Sequence, residues 1–172
     1  MTAIIAGEYK RKKLYNFNNI RVRPTQAKIR KSIFQILEPF VDLDILDLYA
    51  GIGTLGFEAL SRGAKSIVCV EKDRQVFKVL EKNSLLFDES KIKLFSCDVD
   101  TFLLKKNSKK FDIIFAAPPY QSTDFFTLLN KVKQKIKING FFCMEMKKEK
   151  INNLDTRIKY YGNTQVVFWK NN

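Results

Sequence analysis

From Asp44 onward, short apolar runs alternate with helical stretches five times, and few folds accept that pattern. Strands are expected at residues 45–48, 66–70, 91–95, 111–116 and 140–146. Helices are expected at 54–62, 74–86, 99–105 and 124–136. Apolar strands that each lead into a helix belong in a parallel sheet covered on both faces. Gly63 suits the C′ position of the first of these helices and Asp73 the N-cap of the second. After the alternation, residues 157–161 and 165–169 flank Gly162-Asn163 and read as a β-hairpin, adding antiparallel pairing at one edge.

Ahead of the alternating region, residues 3–6 and 12–15 read as two short strands around Gly7. Arg23-Pro24 is extended because a residue before proline is pushed out of the helical region. Thr25 is then the expected N-cap of a helix to residue 38, stopped by Pro39, with Ile29, Ile33, Phe34, Ile36 and Leu37 on one face. No repeat or low-complexity linker divides the 172 residues, so one domain is expected, with residues 1–38 as a basic hairpin and helix and 44–172 as the core.

Charge is unevenly spread. The net charge is +13, yet residues 1–31 hold nine basic side chains against Glu8 alone. A concentrated basic arm of this kind suits phosphate contact, and with it structured nucleic acid. No histidine is present, which excludes imidazole catalysis and most zinc sites; no metal is expected. Cys69, Cys97 and Cys143 are widely spaced in apolar runs and read as reduced, buried thiols. No apolar run reaches the roughly 20 residues of a membrane span, so a cytoplasmic location is expected.

Two motifs carry chemistry. In Asp47-Leu48-Tyr49-Ala50-Gly51-Ile52-Gly53-Thr54-Leu55-Gly56, glycines follow a strand and open a helix, the context a nucleotide-binding turn requires. Gly51 and Gly53 permit close approach of backbone to ligand, and Gly56 permits close helix–strand packing. Glu71 ends the next strand, where a carboxylate can accept both hydroxyls of a ribose. Asp47, four residues before Gly51, suits a cationic amino group, as at the methionine end of S-adenosylmethionine, better than it suits a pyrophosphate. Asp98 is placed either to accept from an adenine amino group or to cap the helix that starts at Val99. Both roles lie at the same strand end.

The second motif is Ala117-Pro118-Pro119-Tyr120, which halts the apolar run 111–116. Proline cannot continue a central ladder, so the strand ends in a stiff loop at its carboxyl end, where α/β sheets bind ligands. Tyr120 offers a ring on which a base can stack.

In combination these residues resemble the RsmD-type bacterial methyltransferases, which act on N2 of a guanine in small-subunit rRNA. The likeness begins with Ile4-Ile5-Ala6-Gly7 and the basic Lys10, Arg11, Lys12 and Lys13. It continues through Arg23-Pro24-Thr25, Arg30 and Phe34, then the glycine motif, Glu-Ala-Leu-Ser-Arg-Gly-Ala at 58–64, Glu71, Asp98 and Pro-Pro-Tyr. The resemblance implies a class I, Rossmann-like methyltransferase fold, with a seven-stranded, mostly parallel sheet and an antiparallel terminal hairpin. It implies S-adenosyl-L-methionine as cofactor, held at Asp47, Tyr49, Ala50, Gly51, Gly53, Glu71, Lys72, Asp98 and Val99. Ala117, Pro118, Pro119 and Tyr120 match the catalytic motif. Lys10, Arg11, Lys12, Lys13, Arg21, Arg23, Thr25 and Arg30 fall on the substrate-RNA side. The implied partner is small-subunit rRNA within an assembled or assembling 30S particle, with the protein acting as a monomer.

The sequence departs from the family at Ala117, where the family carries Asp or Asn. Two other functions stay open: an RNA-binding assembly protein that keeps the cofactor pocket without the chemistry, for which Ala117 speaks, and an amino-methyltransferase of DNA or protein glutamine, since Pro-Pro-Tyr loops serve those substrates too.

Overall fold

The computed structural model describes residues 2–16, 25–105, 109–119, 122–152 and 155–172. The first helix, α1 (Ala27–Leu37), buries Ile29, Ile33, Phe34 and Leu37 along one face. It starts later than expected. Gln26 occupies the N-cap without a side-chain bond, because the Thr25 hydroxyl is committed elsewhere, to Glu145.

The alternating region follows as β1 (Asp44–Leu48), α2 (Thr54–Ser61), β2 (Ser66–Glu71), α3 (Arg74–Ser84), β3 (Ile92–Ser96), α4 (Val99–Leu104), β4 (Phe111–Ala116), α5 (Phe125–Val132) and β5 (Ile136–Lys147). The hairpin β6 (Thr156–Tyr161) and β7 (Thr164–Lys170) completes one seven-stranded sheet of order β3-β2-β1-β4-β5-β7-β6. Strands β1 to β5 pair in parallel; β7 runs antiparallel to both β5 and β6. The expected fold class is the observed one.

Alternating side chains build a core on each face. Ile45, Ile67, Ile113, Phe115 and Cys143 pack with Phe34, Phe57 and Leu80 from α1, α2 and α3. Leu46, Val68, Ile114, Phe142 and Val167 pack with Phe102 and Leu128 from α4 and α5. Cys69 and Cys143 are buried free thiols, raised well above the ordinary range by burial, whereas Cys97 is half-buried.

The amino-terminal segment folds back as a minimal hairpin, joined by one bridge between Ala3 and Lys13 rather than by two full strands. It docks on α2. Glu58, fully buried, accepts from the Ile5 and Ala6 amides at 2.7 and 3.1 Å, and Ser61 Oγ donates to Ala6 O at 2.6 Å. Among the described residues no helix is long and apolar enough to cross a membrane, and no group of three His, Cys, Asp or Glu side chains is placed to hold a metal ion.

Candidate active site

The carboxyl ends of β1, β2, β4 and β5 open onto one cavity of about 440 Å³. Its lining joins the two sequence motifs, 70 residues apart in the chain, in one site: Asp47, Tyr49, Ala50, Gly51, Glu71 and Lys72 on one side, Ala117, Pro118 and Pro119 on the other. This is where a parallel sheet is expected to bind a ligand.

Asp47 ends up beneath the start of α2 because it is the penultimate residue of β1. Its Oδ2 accepts the Gly56 amide at 2.9 Å, serving a helix whose N-cap, Gly53, has no side chain to offer. Its Oδ1 has no hydrogen-bond partner among the described residues. Burial pushes the carboxyl up to about 7; the Gly56 N–H opposes that rise and the Glu71 charge adds to it. A buried acid with one bare oxygen, poised to ionise near neutrality, matches a cationic amino group.

Glu71 is held by both oxygens. Oε2 accepts from the Gly51 amide and Oε1 from the Asp73 amide, each at 2.9 Å. A carboxylate has about four acceptor positions, so both oxygens keep capacity for a vicinal diol such as that of ribose. Ile52, Leu55 and Val76 supply an apolar lining between these polar groups. The residues present thus fit S-adenosylmethionine at its ammonium, its sugar and its apolar surface.

Backbone conformation shapes this loop. Tyr49, Gly51 and Gly53 all have positive φ, at 57°, 57° and 88°. Gly53 is required for a different reason than the expected one. A Cβ there would lie 2.2 Å from Phe57 and 2.8 Å from Leu80, so the space is filled by the protein itself, and Gly53 is not among the lining residues. Gly56 behaves as its spacing suggests, since a Cβ would meet Cys69 Sγ at 2.9 Å.

Asp98 and Val99 also stand outside the lining. Val99 is the first residue of α4 and is buried in the core. Asp98 caps α4, accepting from the Asp100 amide at 2.9 Å, and pairs with Lys72 at 3.5 Å. That lysine lines the cavity. Tyr49 is half-buried, its phenol pushed up to about 12 by burial and then by the charges of Asp100 and Asp98.

The basic arm divides. Lys10, Arg11 and Lys13 are exposed. Lys12 donates to Leu86 O at 2.8 Å and lies over the Tyr9 and Phe87 rings, pinning the hairpin. Arg30 is not on the surface expected of an RNA contact: it is 3% exposed and its Nη2 donates to Ala3 O at 2.8 Å. Arg21, Arg23 and Tyr120 lie outside the described residues.

Two contributors escape local patterns in the sequence. Asn83 on α3 bonds Tyr15 N and O at 2.7 and 3.1 Å and donates to Ile52 O at 3.0 Å, tying the basic hairpin to the glycine loop. Glu145 on β5 enters the cavity beside the proline loop and accepts from Thr25 Oγ1 at 2.6 Å.

Comparison with known proteins agrees with this geometry. The family description Conserved hypothetical protein 95 matches residues 2–170. Among curated relatives, Ribosomal RNA small subunit methyltransferase D of Buchnera aphidicola is 33% identical over 85% of this chain and 78% of its own. The protein of that name from Escherichia coli K12 is 32% identical over 83% and 70%. Among solved structures, yhhF of Escherichia coli superimposes with a TM-score of 0.88 at 26% identity, covering 99% of this chain and 97% of that one. With its glycine loop, paired acids and proline loop arranged around one cavity, the chain belongs to the RsmD-type family described as Conserved hypothetical protein 95.

Proposed function

We propose that this protein methylates the exocyclic N2 of a guanine in small-subunit ribosomal RNA, on an assembled or assembling 30S particle, acting as a cytoplasmic monomer. The observation that carries the reading is the shared cavity. It places Asp47 and Glu71, which suit S-adenosylmethionine, across from a Pro-Pro loop at which a flat base can be presented. The names of the curated relatives support ribosomal RNA as the substrate class.

When bound, S-adenosylmethionine supplies a methyl group on a sulfonium, which needs no strong base to be transferred. The protein's part is alignment, and alignment alone is worth several kcal/mol of barrier. Asp47 and Glu71 fix the donor's two ends, the stiff Pro118-Pro119 backbone sets the wall for the base, and the exposed Lys10, Arg11 and Lys13 meet RNA phosphates.

Titration calorimetry with S-adenosylhomocysteine, followed by mass spectrometry of small-subunit RNA after incubation of particles with S-adenosylmethionine, tests this. Micromolar binding weakened at least tenfold by Glu71→Ala, and a single new N2-methylguanine, are expected. Absence of binding removes the methyltransferase reading; a methyl group on another base or on protein removes the guanine reading.

A further inference from the structure

We propose that Glu145 is the carboxylate that receives the target amino group, standing in for the Asp or Asn that the family carries where this chain has Ala117. This rests on the reading of the cavity as an amino-methyltransferase site.

The methyl of Ala117 accepts no hydrogen bond, so a side-chain acceptor must come from elsewhere in the lining. Among the described residues four carboxylates line the cavity. Asp47 lies under α2, bonded to Gly56. Glu71 is bonded to the Gly51 and Asp73 amides, and Asp73 caps α3 through the Gln75 and Val76 amides. All three belong to the β1–β2 side, where the cofactor is held. Glu145 stands on the other side.

Strand register sets it there. Ala116 pairs with Met144 in the parallel β4–β5 ladder, so one step further Ala117 lies alongside Glu145. Adjacent strands are about 4.8 Å apart, and side chains alternate between faces. Ala117 and Glu145 therefore share the face of Phe115 and Cys143, which is also the face of Asp47. An acid displaced by one strand thus faces the cavity from the same side of the sheet as the side chain at position 117.

Thr25 orients it. The 2.6 Å bond from Thr25 Oγ1 to Oε2 fixes the plane of the group. With one N–H of the target amine donated to Glu145, the nitrogen lone pair faces the sulfonium methyl. The N–C bond forms as the C–S bond breaks with its electron pair passing to sulfur. The proton left on nitrogen moves to the Glu145 carboxylate and then to water.

The test compares methyl transfer to small-subunit particles by the full chain and by Glu145→Ala, Glu145→Gln, Ala117→Asp and the double variant Ala117→Asp/Glu145→Ala. Binding of S-adenosylhomocysteine is measured in parallel. Glu145→Ala is expected to lower kcat by about 10²–10³-fold while that affinity stays within about threefold. Glu145→Gln, whose amide oxygen still accepts from Thr25, is expected to lower kcat about tenfold. Ala117→Asp is expected to restore at least tenfold activity in the Glu145→Ala background, a coupling that a merely structural Glu145 would not show. Unchanged kcat in Glu145→Ala overturns the inference. So does a parent chain that binds S-adenosylhomocysteine yet becomes active only with Ala117→Asp, an outcome that leaves the cofactor reading standing; a parent that binds none removes that reading as well.

Discussion

The Gly56 amide donates to Asp47 Oδ2 at 2.9 Å and leaves Asp47 Oδ1 inside the protein without a partner among the described residues. One carboxylate therefore both caps a helix and faces the cofactor cavity, and its titration links the two. Its pKa is raised from 3.8 to about 7, so the neutral form is favoured in the unliganded fold. The stability this gives is present below the unfolded pKa and is lost as pH rises through the folded one, a loss on the order of 4 kcal/mol in all. A bound ammonium reverses the preference, because it pairs with the ionised form. Affinity for S-adenosylhomocysteine should accordingly rise about tenfold between pH 6 and pH 8. Asp47→Asn should flatten that rise, weaken binding at least tenfold at pH 8, and raise the melting temperature of the unliganded protein at the same pH. Calorimetry at the two pH values, with thermal unfolding beside it, checks all three.

Gly53 invites a different expectation. A Cβ at this position meets Phe57 at 2.2 Å, and its φ of 88° strains any L side chain. Gly53→Ala should destabilise the protein by about 2–4 kcal/mol, seen as a lower denaturation midpoint at unchanged slope. Gly51→Ala, at a φ of 57°, carries the backbone cost and should lose about 1 kcal/mol. If the two variants unfold alike, the contact with Phe57 is not what demands a glycine at 53.

Local sequence carries the parts of this site that are local in the chain. Phe111–Ala116 is legible to the residue because apolar side chains run straight into two prolines. Asp47, Gly51 and Glu71 are legible because a strand–turn–helix needs them at short range. By contrast β5 begins at Ile136, not at 140: its first four residues, Ile-Lys-Ile-Asn, lie at the end of the sheet away from the cavity, where Lys137 bridges Asp44 and Asp112 at 3.2 and 2.8 Å. Thr25 looks like a helix cap until the fold brings Glu145, 120 residues away, within 2.6 Å. Asn83 and Glu58 act across 68 and about 53 residues respectively, and no periodicity announces such contacts. Arg30 reads as one more basic side chain of the arm, although α1 turns it inward.

The amino-terminal hairpin should be separable from the cofactor site. Gly7 has a φ of 85°, and a Cβ there would fall 1.8 Å from Ser61 O, so no side chain fits between hairpin and α2. Gly7→Ala should break the docking that Glu58 provides to the Ile5 and Ala6 amides. Hydrogen exchange should then accelerate at least tenfold at those two amides, while affinity for S-adenosylhomocysteine stays within threefold. Affinity for small-subunit particles should fall, because the arm no longer holds its place. Unaltered protection at Ile5 and Ala6 would show that the docked hairpin tolerates a side chain at position 7.

Within the basic arm, side chains of the same charge should divide by what they touch. Lys10, Arg11 and Lys13 are exposed, so in an RNA complex each is available to displace a counterion from a phosphate. Replacing all three by alanine should reduce the slope of log affinity against log salt by about 0.7–0.9 for each phosphate deprived of its cation, leaving thermal stability nearly unchanged. Lys12 should behave in the opposite way. Its ammonium is engaged by Leu86 O at 2.8 Å and by the Tyr9 ring at 5.0 Å, so Lys12→Ala removes a bond and a cation–π interaction that pin the hairpin. It should cost about 1–2 kcal/mol of stability and change the salt slope little. Filter binding across a salt series, paired with denaturant unfolding, separates the two effects. A large slope change from Lys12→Ala would mean that this lysine leaves its intramolecular partners to meet the RNA.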